Sequence, residues 1–119
     1  MQYLLDTNIC VFFLRGKFNL EEVIKEKGRE NCFLSEIIVA ELRFGVENSD
    51  DPVESHKAVD IFLNGISIIP LFGSIRRYAK EKVRLRKIGK PIHDEFDLII
   101  GVTAIENKLT LVTDNSKYF

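Results

Sequence analysis

Short apolar runs alternate along this chain with longer stretches in which apolar side chains return every three or four positions. The short runs are residues 2–5, 31–34, 66–71 and 109–113. Mainly apolar runs of that length, bounded by polar or turn residues, have the pattern of strands buried on both faces. The helical period appears over residues 8–15, 19–27, 35–48, 51–64, 75–88 and 96–107. Start and stop signals flank these segments. Thr7 can cap the first, leaving Asp6 free, and Gly16 can stop it. Gly28 closes the second, and Ser35 can cap the third. Pro52 stands at the tolerated first position of the fourth, which ends at Gly65. Gly89 and Pro91 close the fifth. Strands that alternate with helices predict a parallel sheet covered on both faces, an α/β architecture. Ligands of such sheets gather beyond the carboxyl ends of the strands.

The chain has 119 residues, enough for one core and one domain over 1–119. Hydrophobic residues make up 45% and charged residues 29%, ordinary values for a globular protein, and the net charge is −1. The distribution of charge is more telling than its sum. Arg76, Arg77, Lys80, Lys82, Arg84, Arg86, Lys87 and Lys90 stand close together with one acid, Glu81, among them. This is nearly half of the 17 Lys and Arg, so the rest of the chain is net acidic. Cys10 and Cys32 lie in apolar contexts with no metal-type spacing, and read as reduced core thiols. The start of the chain has neither a basic segment nor a long apolar one, and no run approaches the ~20 residues that span a bilayer. The expectation is a cytoplasmic protein with no membrane association.

Four acids break the apolar pattern. Asp6 follows the first strand, Glu41 has Ile37, Ile38 and Phe44 as helical neighbours, Asp97 opens an apolar helix, and Asp114 follows the last strand. Burying an unpaired carboxylate is costly, so acids on apolar stripes suggest a positive partner. Hard oxygen ligands without Cys suit Mg²⁺ or Mn²⁺. Each acid alone has an ordinary explanation. Asp can cap a helix, a Glu stem can pack while its head reaches water, and Asp114-Asn115 is normal turn chemistry. Asp94 and Glu95 read as solvated loop acids, His56 as a surface residue, and His93 as a loop residue.

From Leu4-Leu5-Asp6-Thr7-Asn8 onward the chain resembles a known family. The resemblance runs through Ser35, Glu41-Leu42 and Gly45, then Gly89-Lys90-Pro91-Ile92 and Asp97-Leu98-Ile99-Ile100-Gly101. It closes at Leu111-Val112-Thr113-Asp114-Asn115 and Phe119. The family is that of PIN-domain ribonucleases, of the VapC type found in bacterial VapBC toxin–antitoxin pairs. The resemblance implies a three-layer α/β/α sandwich on a short parallel sheet and endonucleolytic RNA cleavage dependent on Mg²⁺ or Mn²⁺. It places Asp6, Glu41 and Asp97 as metal ligands and a fourth catalytic acid at the Thr113-Asp114-Asn115 turn, with Asn8 and Asn115 supporting the pocket. The segment from Ile92 to Asp97 is one residue longer than the family's common spacing, which makes Asp94 a competitor of Asp97. The family's last strand would fall beyond Phe119.

The resemblance also implies an RNA substrate such as transfer RNA, a cognate antitoxin of the VapB kind, and homodimerisation. Arg76, Arg77, Lys80, Arg84, Arg86 and Lys87 of the basic helix are the candidate phosphate contacts. Ile9, Val11, Phe12, Phe13, Leu14, Phe18 and Leu20 are more apolar than one helix pair needs inside, which predicts an exposed groove; the resemblance implies that an antitoxin peptide covers it. Two other readings compete. A phosphatase would want a second Asp two residues after its nucleophile, where this chain has Asn8. A non-catalytic docking module of the same fold would not need Asp6, Glu41 and Asp97.

Overall fold

The computed structural model describes residues 1–114. Its elements follow in the order β1 (Tyr3–Leu5), α1 (Thr7–Leu14), α2 (Leu20–Lys27), β2 (Cys32–Ser35), α3 (Glu36–Glu47), α4 (Pro52–Leu63), β3 (Ser67–Ile69), α5 (Ile75–Lys87), α6 (Glu95–Glu106) and β4 (Thr110–Val112). Short 3₁₀ turns precede β2 and α5. The four strands form one sheet in the order β3-β2-β1-β4, and every pairing is parallel. The two central strands are the most thoroughly buried, with Leu4 and Leu34 fully enclosed among Ile38, Leu42, Phe62 and Ile100. Helices cover the sheet in an α/β/α sandwich, as the strand–helix alternation predicts.

The predicted ends agree with the observed ones to within two residues, and the largest difference has a local cause. The third strand ends at Ile69 because Pro70 has no N–H to give the ladder. The cap of α1 is a correction. Asp6, not Thr7, is the cap residue: its Oδ1 accepts the Thr7 N–H at 2.7 Å while its own backbone stays extended. Thr7 lies inside the helix, and its hydroxyl is used elsewhere. Ser35 caps α3 as expected, accepting from the Ile38 N–H, and Gly28 ends α2 at φ 93°, a conformation that favours glycine.

The strand order fixes where a ligand can sit. The chain moves from β1 outward through β2 to β3, then returns past β1 to place β4 on its other side. The connections therefore diverge between β1 and β4, and the crevice at a parallel sheet opens at such a switch point. Asp6 and Thr113 are the residues that follow these two strands.

Cys10 and Cys32 are both buried and neither is in a disulfide. Burial pushes both thiols up, which leaves them protonated and inert at neutral pH. No helix among the described residues is long and apolar enough to cross a membrane.

Candidate active site

At the carboxyl edge of β1 the backbone turns straight into α1, and Asp6 sits at that corner. Its N–H donates to the Val112 carbonyl of β4 at 2.9 Å. Its carboxylate is held from two sides, Oδ1 by the Thr7 N–H and Oδ2 by the Thr113 hydroxyl at 2.7 Å. The first and last strands thus fix one carboxylate together. Thr7, one residue on, donates its hydroxyl to Glu41 Oε1 at 2.8 Å. Asn8 ties down the segment after β4: its Nδ2 donates to the Asp114 carbonyl at 3.0 Å, and its Oδ1 accepts the Asp114 N–H at 3.3 Å. Three consecutive residues after β1 therefore orient three other parts of the site.

Asp6, Thr7, Asn8, Val11, Phe12, Glu41, Asp94 and Asp97 line one open hollow of about 380 Å³. Four carboxylates share this wall, delivered by the end of β1, the middle of α3 and the start of α6. Burial pushes the Glu41 carboxyl above the usual range. The Thr7 hydroxyl opposes that rise, while the charges of Asp6, Asp94 and Asp97 add to it. Like charges gathered this way favour a cation.

Among the described residues, no three carboxylate, His or Cys side chains converge into a ready-made ligand shell. The donor set nonetheless fits a hard divalent ion. It consists of carboxylate oxygens without thiol or imidazole, flanked by the amide of Asn8, and burial and neighbouring acids disfavour the charged form of one member, Glu41. The structure brings Asp6, Glu41 and Asp97 to the same hollow. Asp114 is placed differently: it borders a smaller apolar dip with Ile9, Phe12, Phe18 and Leu20, and it meets the site through its backbone bonds to Asn8. Asn115 lies outside the described residues.

Asp94 is more than a solvated loop acid. It caps α6, its Oδ1 accepting the Phe96 and Asp97 N–H groups at 2.9 and 3.2 Å, and it lines the hollow beside Asp97. A sequence signal for this existed, since an Asp three residues before the acid that opens an apolar run stands where a cap belongs. Glu95 is not a loop residue either. It is in the first turn of α6 and binds Lys82 and the Tyr78 hydroxyl. His56 lies between Arg43 and Glu47, its ring nitrogens 3.1 Å from the Arg43 guanidinium and 2.7 Å from the Glu47 carboxylate, a bridge between α3 and α4.

The basic helix α5 buries none of its residues and rests on α6. Arg77 pairs with Glu106 at 2.5 Å and Arg84 with Glu81 at 2.7 Å, so two of the six candidate phosphate contacts already hold acids. Among the described residues no ion pair involves Arg76, Lys80, Arg86 or Lys87, which stand exposed.

Comparison with known proteins gives the same direction. The PIN domain family model matches residues 3–119. A Rickettsia felis protein named ribonuclease VapC2 is 34% identical over all of this chain and 90% of its own length. A Shigella flexneri protein named tRNA(fMet)-specific endonuclease VapC is 26% identical, again over all of this chain and 90% of the relative. A crystal structure of VapBC2 from Rickettsia felis, bound to a DNA fragment from its promoter, contains a chain that superposes with a TM-score of 0.81 at 32% identity. The match spans 100% of this chain and 91% of the solved one. With the parallel sheet, the acidic hollow at its switch point and a family match along nearly its whole length, the chain belongs to the PIN-domain family, among the ribonuclease toxins of the VapC type.

Proposed function

We propose that this ribonuclease is an endonuclease that depends on Mg²⁺ or Mn²⁺, cleaves structured RNA such as transfer RNA, and is restrained by a cognate antitoxin. The observation that carries the reading is the shared hollow of Asp6, Glu41, Asp94 and Asp97 beside Asn8. Asp6, Glu41 and Asp97 would hold the ion, which when bound would supply an acidified water and positive charge to offset what builds on the phosphodiester. The chain's own groups supply orientation. Thr113 and the Thr7 N–H fix the Asp6 carboxylate, and the Thr7 hydroxyl fixes Glu41. No neutral base is needed from His: His56 is engaged in the α3–α4 bridge, and His93 is exposed and does not line the hollow.

RNA would approach along α5, whose partner α6 carries Asp97 in its first turn. The exposed Arg76, Lys80, Arg86 and Lys87 supply phosphate contacts, and Tyr78 is the one aromatic side chain on that helix, so shape rather than base identity carries recognition. The double substitution Arg76→Ala with Lys80→Ala is expected to weaken RNA binding uniformly across sequences. It should flatten the slope of log affinity against log salt by about one for each phosphate that is no longer neutralised. Filter binding at several salt concentrations checks this.

An antitoxin peptide fits the apolar rim of α1 and α2. Phe13 is turned inward, its ring 4.7 Å from Phe62, but Phe18 is 70% exposed. Together with Phe12, Ile9 and Leu20 it frames a dip of about 280 Å³ next to the acids. A basic side chain of the peptide would reach the hollow from there. The similarity to the Rickettsia felis and Shigella flexneri proteins supports the ribonuclease and transfer-RNA parts of the reading.

The deciding experiment is incubation of transfer RNA with the protein and Mn²⁺, alongside an EDTA control and Asp6→Ala. Discrete fragments that vanish in both controls are the expected result. Fragments that persist in EDTA would overturn the metal dependence. No fragments from any RNA, with no rise in melting temperature on adding Mn²⁺, would identify a docking module instead.

A further inference from the structure

We propose that Asp94 is the fourth carboxylate of the metal site, taking the part that the sequence alone assigns to the acid after β4. The inference rests on the reading above, that Asp6, Glu41 and Asp97 hold a hard divalent cation, and extends it to the residue that caps the helix of Asp97.

Position is the first argument. Asp94 lines the same hollow as the three other acids, whereas Asp114 does not. The Asp114 main chain is fastened to both ends of the Asn8 amide, and Asp114 lines the apolar dip with Ile9, Phe12, Phe18 and Leu20. Coordination chemistry is the second. Both helix N–H groups that Asp94 accepts go to one oxygen, Oδ1. A carboxylate can close a helix through one oxygen and ligate through the other. One of those N–H groups belongs to Asp97, so the bond that makes the cap also fixes the backbone carrying a ligand.

The third argument is electrostatic. The amino end of a helix carries partial positive charge, which disfavours a cation beside it. Asp97 stands in the first turn of α6, so the ion it binds lies near that end. A carboxylate at the cap converts the locality from repulsive to attractive, which a neutral cap would not do.

The test separates charge from capping. Asn caps a helix about as well as Asp, so Asp94→Asn keeps the closure of α6 and removes the charge. Mn²⁺ affinity is measured by titration calorimetry for the wild type, Asp6→Asn, Asp94→Asn and Glu95→Gln. The last deletes an equal charge one residue away, on a side chain that does not line the hollow. Expected are a loss of about tenfold or more for Asp94→Asn, within the range found when a residue supporting a metal site is removed, and no change for Glu95→Gln. The metal-free melting temperature of Asp94→Asn should match that of the wild type. Wild-type Mn²⁺ affinity in Asp94→Asn, with binding lost in Asp6→Asn, would overturn the proposal and leave the metal reading standing. Equal losses in Asp94→Asn and Glu95→Gln would also overturn it, by reducing Asp94 to a distant charge. Absence of Mn²⁺ binding by the wild type would overturn both readings.

Discussion

Replacement of Glu41 by Gln is expected to reduce RNA cleavage by about two to three orders of magnitude, the scale on which a single electrostatic group at a reacting centre acts. The same change is expected to leave the metal-free protein as stable as before, or more so. Gln keeps the shape, and its carbonyl oxygen can accept the Thr7 hydroxyl as Glu41 Oε1 does. It removes a charge that burial and three neighbouring acids disfavour. The sign follows from proton linkage. The folded-state pKa of Glu41 lies above its unfolded value, so between the two the native state holds a proton that the unfolded chain has lost. Stability from this group therefore falls as pH rises through that window, and at neutral pH the ionised Glu41 is a net cost. Metal-free melting curves from mildly acidic to neutral pH should show the wild type losing stability that Glu41→Gln keeps. At neutral pH the metal-free melting temperature of Glu41→Gln should equal or exceed that of the wild type. A large drop in melting temperature for Glu41→Gln would assign Glu41 a structural role instead.

Asp6 behaves differently because it carries two duties. Asp6→Ala is expected to abolish cleavage and also to destabilise the metal-free fold. The loss of the cap on α1 alone costs about 0.5–2 kcal/mol, and the Thr113 hydroxyl loses its partner as well. Asp6→Asn should recover most of the stability, since an amide oxygen can take the cap bond, and none of the activity. Urea unfolding of the two variants, read beside their cleavage rates, separates the duties. Equal stability of Asp6→Ala and wild type would mean that the cap observed in the structure contributes nothing.

What can be read from the sequence, and what cannot, follows from the range of the forces involved. Strand and helix assignments rest on periodicity and caps, which are local, and Ser35, Pro52 and Gly28 sit where those signals place them. Asp6, Glu41 and Asp97 are visible because each breaks an apolar pattern. The side-chain bonds from Thr113 to Asp6 and from Thr7 to Glu41 are not visible, because they join residues 107 and 34 positions apart, the first through the pairing of β1 with β4 and the second through the packing of α1 on α3. Asp94 is only half visible. Its neighbours Glu95 and His93 are polar, so it violates no pattern; spacing sets it up as a competitor of Asp97, while the start of α6 brings both to one hollow. The basic helix is legible as charge. Its pairing is not, since Glu106 and Glu95 come from another helix.

The pairing of β1 with β4 has a consequence for how such a chain is made. Synthesis delivers β1 long before β4, yet the two are neighbours, and Thr113 after β4 donates to the Asp6 carboxylate. A nascent chain on the ribosome can carry Asp6, Glu41 and Asp97 and still leave β1 as an open edge, with its first acid lacking one of its two anchors. A chain whose translation stops before β4 therefore lacks both the strand beside β1 and the Thr113 hydroxyl that holds Asp6 Oδ2.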